Sequence, residues 1–333
     1  MTQRVILGLS GGVDSAVAAL LLKDEGYDVH ALHMTNWEDD DGYCTAAADL
    51  QDARRVCEQL DIPLHHANFA KQYRDQVFEY FLEEYRKGRT PNPDVLCNRE
   101  IKFGVFRDHA NRLGGDLLAT GHYACSGIVD GHGALFKGKD PGKDQSYFLH
   151  AVSAEALADT VFPLGELVKG EVRRIARDRG LAIHDKKDST GICFIGERPF
   201  REFLSTYIPA NPGPMRTPGG EVMGEHQGLM YYTLGQRQGL MIGGRRDRGE
   251  EPWYVVGKDL DDNALIVAQG EHELLFSNGL TATDASWIGK APGGLENGLR
   301  CMAKVRYRQA DQRCVVTALE GDRLDVRFDE RQK

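Results

Sequence analysis

The chain has 333 residues, which gives room for two or three domains and a core that needs no staples. Its 50 acidic residues outnumber 41 Lys and Arg for a net charge of −9; this excludes a general nucleic-acid coat but allows a local basic face. Seven scattered cysteines with no C-x-x-C pair exclude a disulfide framework and a zinc ribbon. No signal-like N-terminus and no apolar run near the ~18 residues of a membrane span is visible, so a cytoplasmic protein without membrane contact is expected.

Val5 to Leu9 is an apolar run of the length of a buried parallel strand. Ser10-Gly11-Gly12-Val13-Asp14-Ser15 turns the chain, and Ala16 to Leu22 resumes as a strong helix former. Gly26 stops that helix, and Tyr27 to Met34 reads as the next strand. Glycines in the first turn of such a β-loop-α-β unit let backbone amides approach a phosphate, and the helix N-terminus adds partial positive charge. Ser10 and Ser15 supply hydroxyl donors, and Asp14 suits a Mg²⁺ that bridges phosphates. Neither the Gly-Lys-Ser/Thr nor the G-x-G-x-x-G pattern is present. The loop resembles the PP-loop of ATP pyrophosphatases, enzymes that split ATP into AMP and pyrophosphate.

The segment Asn36 to Tyr43, with Asp39, Asp40 and Asp41, reads as a solvated loop. Thr45 to Leu60 has helical spacing, and Leu64 to Asn68 is a short strand whose His65 and His66 alternate in direction and serve structure. Tyr73 to Arg86 is amphipathic. Pro91-Asn92-Pro93-Asp94 forbids helix and predicts an extended loop that carries on to Cys97. A helix follows from about Ile101 to Leu113, then a buried strand at Asp116 to Thr120 that ends in Gly121-His122-Tyr123. Repeated strand–helix units imply a doubly wound parallel sheet that binds ligand at its carboxyl ends. Gly12, Met34, the Pro-rich loop and Gly121 should converge there.

Lys137 to Tyr147 is a basic, turn-rich loop, by itself a solvated charge run. Glu171 to Arg179 is a helix capped by Gly180, and Phe200 to Tyr207 is a short helix. Beyond Pro209 come short strands, of which Cys301–Arg308, Cys314–Leu319 and Leu324–Phe328 suggest a small antiparallel barrel. The expected domains are 1–163, 164–275 and 276–333. Cys57, Cys301 and Cys314 read as buried hydrophobes, and Cys44 and Cys125 are undecided. Cys97 and Cys193 lie in predicted loops with Gly and basic neighbours, a setting for accessible thiolates of lowered pKa.

The PP-loop, Asn-Pro-Asp-x-x-Cys-Asn at 92–98, Thr-Gly-His-Tyr at 120–123, Lys-Asp-Gln-Ser-Tyr at 143–147 and Ser-Thr-Gly-Ile-Cys-Phe-Ile at 189–195 together resemble the bacterial tRNA-specific 2-thiouridylases across the whole chain. The resemblance implies an α/β PP-loop domain of the adenine nucleotide alpha hydrolase type, a small central domain and a C-terminal antiparallel β-barrel. It implies ATP binding by Gly8, Leu9, Ser10, Gly11, Gly12, Val13, Asp14, Ser15, Met34 and Gly121, with Mg²⁺ accompanying the ATP at Asp14. It implies target-base contacts from Asn92, Pro93 and Asp94. It also implies tRNA contacts from His122, Lys143, Asp144, Gln145, Arg306 and Tyr307. Cys97 would be the nucleophile, Cys193 the persulfide carrier loaded by a sulfur-relay protein, and Asp94 a further catalytic group. The enzyme would act as a monomer. The family is expected to run on past Glu330 through a Pro-Gly-Gln turn into a last strand, so the barrel is expected to be one or two strands short at Lys333. The rivals are another PP-loop adenylating ligase and a catalytically silent tRNA-binding module.

Overall fold

A computed structural model describes residues 2–38, 46–188, 198–242 and 251–333. It divides into two compact units. The first holds residues 1–80, 92–198 and 286–291, and the second holds 81–91, 199–285 and 292–333.

In the first unit the chain runs β1 (Arg4–Gly8), α1 (Val13–Asp24), β2 (Asp28–Thr35), α2 (Ala46–Leu60), β3 (Leu64–Asn68) and α3 (Ala70–Tyr73). A π-helical stretch, Arg74–Phe78, leads into α4 (Glu79–Arg86), whose later residues belong to the second unit. The first unit resumes with α5 (Pro93–Leu96), a longer π-helical stretch Cys97–Val105, α6 (Phe106–Arg112) and β4 (Leu117–Thr120). Then follow the hairpin β5 (Ala124–Val129) and β6 (His132–Lys137), α7 (Ser146–Leu149), α8 (Ala154–Ala158), β7 (Thr160–Val161) and α9 (Lys169–Asp178). Five parallel strands form one sheet in the order β3-β2-β1-β4-β7. This is the doubly wound sheet read from the sequence.

Val5, Ile6 and Leu7 of β1 are fully buried because helices cover both faces of a parallel sheet. Each such side chain contributes about 1.5–3 kcal/mol on burial. Helix α1 is buried nearly all round, and its alanines at 16, 18 and 19 let the sheet, α2 and α9 approach closely. The same cluster takes in Leu164, Val172, Ala176, Leu181 and Ile183. The expected boundary at 163 therefore falls inside this unit: residues 164–183 complete its core rather than open a new one.

The second unit carries α10 (Phe200–Ser205), β8 (Gly213–Arg216), β9 (Val222–His226), β10 (Trp253–Asp259), β11 (Ala264–Gln269), β12 (Ser277–Ala282), β13 (Leu299–Ala303), β14 (Gln312–Ala318) and β15 (Leu324–Gln332). One sheet has the order β10-β11-β8-β9 and the other β12-β15-β14-β13, which is antiparallel throughout. The strand expected over 301–308 ends at Ala303, so Arg306 and Tyr307 lie in the turn region between β13 and β14. Cys301 and Cys314 are paired across β13 and β14 with their Sγ atoms 3.6 Å apart. Burial pushes the Cys314 thiol up to about 11, so the expectation of inert core sulfurs holds there.

Candidate active site

β1 delivers the chain into Leu9–Gly12 at the carboxyl edge of the sheet. Gly11 has φ of +80°, and a Cβ there would sit 2.3 Å from the Asp49 carbonyl oxygen, so the turn demands glycine. Ser15 Oγ donates to Gly12 O at 3.1 Å and accepts from Ser10 N at 3.2 Å, closing the loop on itself. α1 starts at Gly12 without a side-chain cap, which leaves its first-turn amides for an anion. Below the loop, His33 Nδ1 bonds to Leu9 O at 2.8 Å. Burial lowers the pKa of this ring, so a neutral imidazole with its proton on Nδ1 holds the loop. Gly121 follows β4, and a Cβ there would lie 2.9 Å from Ser15 N. Gly121 is thus needed for the β4 end to pass over the start of α1. Met34 lies inside β2, half-buried, and is not past the strand end as expected.

Asp14 is already engaged. Lys169 Nζ lies 2.8 Å from both of its oxygens, and the Tyr123 hydroxyl donates to Oδ1 at 2.8 Å. Burial first, and then the Asp14 charge, raise the Tyr123 phenol, which therefore stays protonated. Lys169 opens α9, and its own amide donates to Asp140 Oδ2 at 2.9 Å. Its ammonium also lies 2.7 Å from Asp188 Oδ1. Asp188 further binds Arg173 at 2.7 Å and Lys143 at 3.0 Å. Burial alone would raise that carboxyl, but hydrogen bonds from Lys169 and Lys143 hold it at about 2. Two residues earlier, Lys186 Nζ donates to Gly11 O at 3.0 Å and pairs with Asp49 at 2.9 Å and Asp52 at 2.6 Å. The strand of chain that leads to Cys193 is therefore pinned to the PP-loop. Cys193 itself, like Cys44 and the Asp39–Asp41 run, lies outside the described residues.

The basic loop at 137–147 is not a solvated charge run. Asp144 is 5% exposed and accepts from Gly138 N, Ser146 N and Ser146 Oγ at 3.0–3.1 Å. Gln145 exchanges two bonds with the backbone of Tyr123: Tyr123 N donates to its Oε1, and its own amide donates to Tyr123 O. Asp144 and Gln145 thus orient Tyr123 toward Asp14. The Lys143 side chain is 42% exposed, and Lys137 and Lys139 are exposed as well.

Cys97 differs from expectation. Asn92 is an N-cap whose Oδ1 accepts from Asp94 N at 3.2 Å, and Pro93 stands at the first helical position. The chain is helical from there, and Cys97 is 4% exposed at the start of the π-helical stretch rather than in an open loop. π-Helical turns widen a helix locally and recur at functional sites. Asp94 keeps exposed surface, yet atoms crowd its carboxyl and raise its pKa, with Lys102 pulling it back. Lys102 Nζ lies 3.3 Å from His122 Nε2, and Thr120 Oγ1 lies 2.7 Å from Nδ1. Burial, then the Lys102 charge, lower His122 well below the usual imidazole value. A neutral His122 therefore accepts from Lys102 on Nε2 and donates to Thr120 from Nδ1. Two buried acceptors, Asn36 Oδ1 just past β2 and Asn98 Oδ1 beside Cys97, have no partner among the described residues. The other thiols are quiet, with burial raising Cys57 to about 12 and Cys125 to about 11.

Sequence reasoning missed Lys169, Asp188 and Lys102, and it noted Lys186 and Tyr123 without the contacts they make. Each is a charged or aromatic residue in a polar stretch whose role rests on contacts distant in sequence. Among the described residues no cluster of metal-ligating side chains is present, and no helix is long and apolar enough to cross a membrane.

Family models described as a tRNA methyl transferase HUP domain, a tRNA methyl transferase PRC-barrel domain and an aminomethyltransferase beta-barrel domain match residues 3–197, 201–269 and 277–333. The first of these ends at 197, beside Arg198, where the long run 92–198 of the first compact unit stops. The tRNA-specific 2-thiouridylase MnmA of Hahella chejuensis is 60% identical over 99% of this chain and 91% of its own length. The chain belongs to the tRNA-specific 2-thiouridylase family. The Pseudomonas fluorescens 2-thiouridylase is 61% identical over 94% of this chain and 84% of its own length. Among solved structures, a 4-thiouridine synthetase–RNA complex with bound ATP aligns at a TM-score of 0.40, with 18% identity over 62% of this chain and 50% of that one. The fold agrees with this membership: a HUP-type parallel sheet, then the two smaller β-sheet regions that match the barrel models.

Proposed function

We propose that the chain is a tRNA-uridine 2-sulfurtransferase that uses ATP to adenylate the C2 oxygen of the wobble uridine and replaces that oxygen with sulfur carried as a persulfide on Cys193. The observation that carries this reading is a Ser-Gly-Gly-x-Asp-Ser loop closed at a sheet's carboxyl edge, with the segment leading to Cys193 tied to it through Lys186 and Asp188.

ATP places its phosphates on the loop amides and the α1 N-terminus. The buried acceptor of Asn36 suits the exocyclic amine of adenine. Asp14 already receives one cation on both oxygens, so its carboxylate fits the Mg²⁺ that travels with ATP, by exchange with Lys169. Held there, Mg²⁺ would supply positive charge to the triphosphate. Lys169, at the same loop, would support the leaving pyrophosphate with its positive charge.

The wobble uridine is flipped toward Asn92, Pro93 and Asp94. Asp94, with its raised carboxyl, takes the N3 proton, so that O2 attacks the α-phosphorus and expels pyrophosphate. The terminal sulfur of the Cys193 persulfide then attacks C2. Cys97 attacks the Cys193 sulfur, which breaks the S–S bond and leaves the terminal sulfur on C2. AMP departs with O2, the N3 proton returns, and a Cys97–Cys193 disulfide remains for a thiol reductant. The sulfur donor is a relay protein that presents a persulfide. tRNA contacts come from Lys143, Arg306 and Tyr307, whereas Asp144, Gln145 and His122 act from inside by orienting Tyr123 and Lys102.

The test is mass analysis of nucleosides from tRNA incubated with the protein, ATP, Mg²⁺ and a persulfide donor. 2-Thiouridine at the wobble position is the expected product. Its absence while Cys193 is demonstrably loaded refutes the reading.

A further inference from the structure

The second unit holds a cavity of about 430 Å³ of which the sequence motifs and the reaction above use only Arg306. Its walls include Gly88, Thr90, Thr233, Val256, Lys258 and Arg306, gathered from four distant stretches of chain. Val256 is the extra residue of a β-bulge in β10, where the pairing with β11 slips between Val255 and Gly257. Bulges re-aim side chains and concentrate at binding sites. Gly88 has φ of +73°, and a Cβ there would meet Leu260 Cδ2 at 2.7 Å, so the wall is tightly packed.

The charges of this cavity are not balanced. Lys258 Nζ donates to Gly88 O at 2.8 Å, and Arg306 donates to Leu234 O at 3.2 Å. Both partners are backbone carbonyls, and no carboxylate among the described residues pairs with either cation. Thr90 and Thr233 hydroxyls face each other at 3.1 Å, leaving donor capacity between them. Burial lowers the Lys258 ammonium to about 8, as expected of a half-buried cation that lacks a counter-ion. Two uncompensated cations and two hydroxyls in a cavity of ligand size describe an anion site with several acceptor oxygens.

We propose that this cavity is a phosphate site for the tRNA backbone, built on Lys258, Thr90, Thr233 and Arg306, that holds a phosphodiester flanking the target nucleotide. It rests on the thiolation reading above. Arg306 was expected to touch tRNA, but Lys258 and the two threonines were not. The choice of RNA over a free nucleotide comes from chain continuity. Thr90 stands two residues before Asn92, the start of the segment assigned to the target base, and each residue spans at most ~3.6 Å. A phosphate gripped at Thr90 is therefore tethered within a short reach of that base.

The experiment is a tRNA-binding titration with a tRNA transcript over a series of salt concentrations, comparing wild type with Lys258→Gln and Lys258→Arg. Lys258→Gln should weaken binding about 5- to 30-fold at ~0.1 M salt and reduce the log–log salt slope by about one. Lys258→Arg should retain the slope, and ATP affinity without tRNA should be the same in all three. Unchanged affinity and slope in Lys258→Gln overturn the proposal. So does Lys258-dependent binding of pyrophosphate or AMP with tRNA binding intact, which would make this a small-molecule site. If Lys258→Gln melts early, the Thr90→Val, Thr233→Val double variant decides by the same readout, with weaker tRNA binding in support. A wild-type protein that binds no tRNA at all removes the thiolation reading, a result distinct from loss in the variant alone.

Discussion

Replacing Lys169 with methionine keeps most of the side-chain volume and removes one positive charge. That charge makes two contacts of 2.8 Å to Asp14 and one of 2.7 Å to Asp188. Each hydrogen bond to a charged group stabilises by about 1.5–3 kcal/mol when well shielded. The carboxylates are 31% and 34% exposed and keep other partners, Tyr123 for Asp14 and Lys143 with Arg173 for Asp188. Water and those partners recover much of the loss, so the net destabilisation should be about 1–3 kcal/mol. At ~2–4 °C per kcal/mol, the melting temperature should fall by roughly 2–12 °C. The catalytic loss should be larger, because the charge that counters the leaving pyrophosphate has no replacement. A fall of about 10²–10³ in kcat for tRNA-dependent pyrophosphate release is expected, of the size seen when one preorganised donor is removed. The assay is pyrophosphate release at saturating ATP and at a temperature where the variant is fully folded. Tight tRNA binding should persist, and Lys169→Arg should restore part of the rate. A wild-type kcat in folded Lys169→Met refutes the role assigned to this lysine.

Asp14→Asn should abolish pyrophosphate release while leaving tRNA affinity in place, measured on the same preparation; release at the wild-type rate would remove the PP-loop assignment. Asp188 has its folded pKa depressed to about 2 from the ordinary carboxylate value of 3.8, so the stability it provides is full above that unfolded value and is lost as pH falls through about 4 to 2. Lys143→Met should move that loss to higher pH, as followed by acid titration of fluorescence or circular dichroism, and an unmoved midpoint counts against the Asp188 cluster. Gly121→Ala should place a Cβ 2.9 Å from Ser15 N and cost about 1–3 kcal/mol together with weakened ATP binding; a calorimetric melt and an ATP titration that both match wild type would sink this packing argument. One turnover of wild type should leave a Cys97–Cys193 cross-linked peptide after digestion without reductant. Cys97→Ala should abolish both that peptide and 2-thiouridine while still accepting sulfur on Cys193, and normal thiolation by Cys97→Ala would exclude the cysteine from the transfer.

The parallel sheet was legible because its strands are apolar runs punctuated by glycine, and β1-loop-α1 carries its chemistry in adjacent letters. The error at Cys97 came from reading Pro91-Asn92-Pro93 as a breaker. Proline at the first helical position after an Asn cap starts a helix, and that signal was present in the sequence. The π-helical stretches leave the same apolar spacing as an α-helix over so few residues, so nothing in the letters marks them. The boundary at 163 failed because α9 looks like a polar surface helix, yet Val172 and Ala176 are fully buried in the α1 cluster. Lys169 and Asp188 are invisible to motif reading, since each acquires meaning only from partners far away in sequence.

The second unit is not one continuous stretch of polypeptide, and that has a consequence for its biosynthesis. Phe81 to Pro91 belongs to it, with Tyr85 packed 5.7 Å from the Phe200 ring and Gly88 lying against Leu260. On the ribosome this segment emerges ~120 residues before β8, an interval of roughly 6–24 s at bacterial-type elongation rates of 5–20 residues per second. During that time Phe81, Leu82 and Tyr85, all buried in the finished protein, lack the neighbours that cover them. They form a natural holding point for a chaperone that grips short aromatic segments. By the same logic, a fragment begun at Pro199 and expressed alone should aggregate, and supplying residues 81–91 as a separate peptide should rescue it.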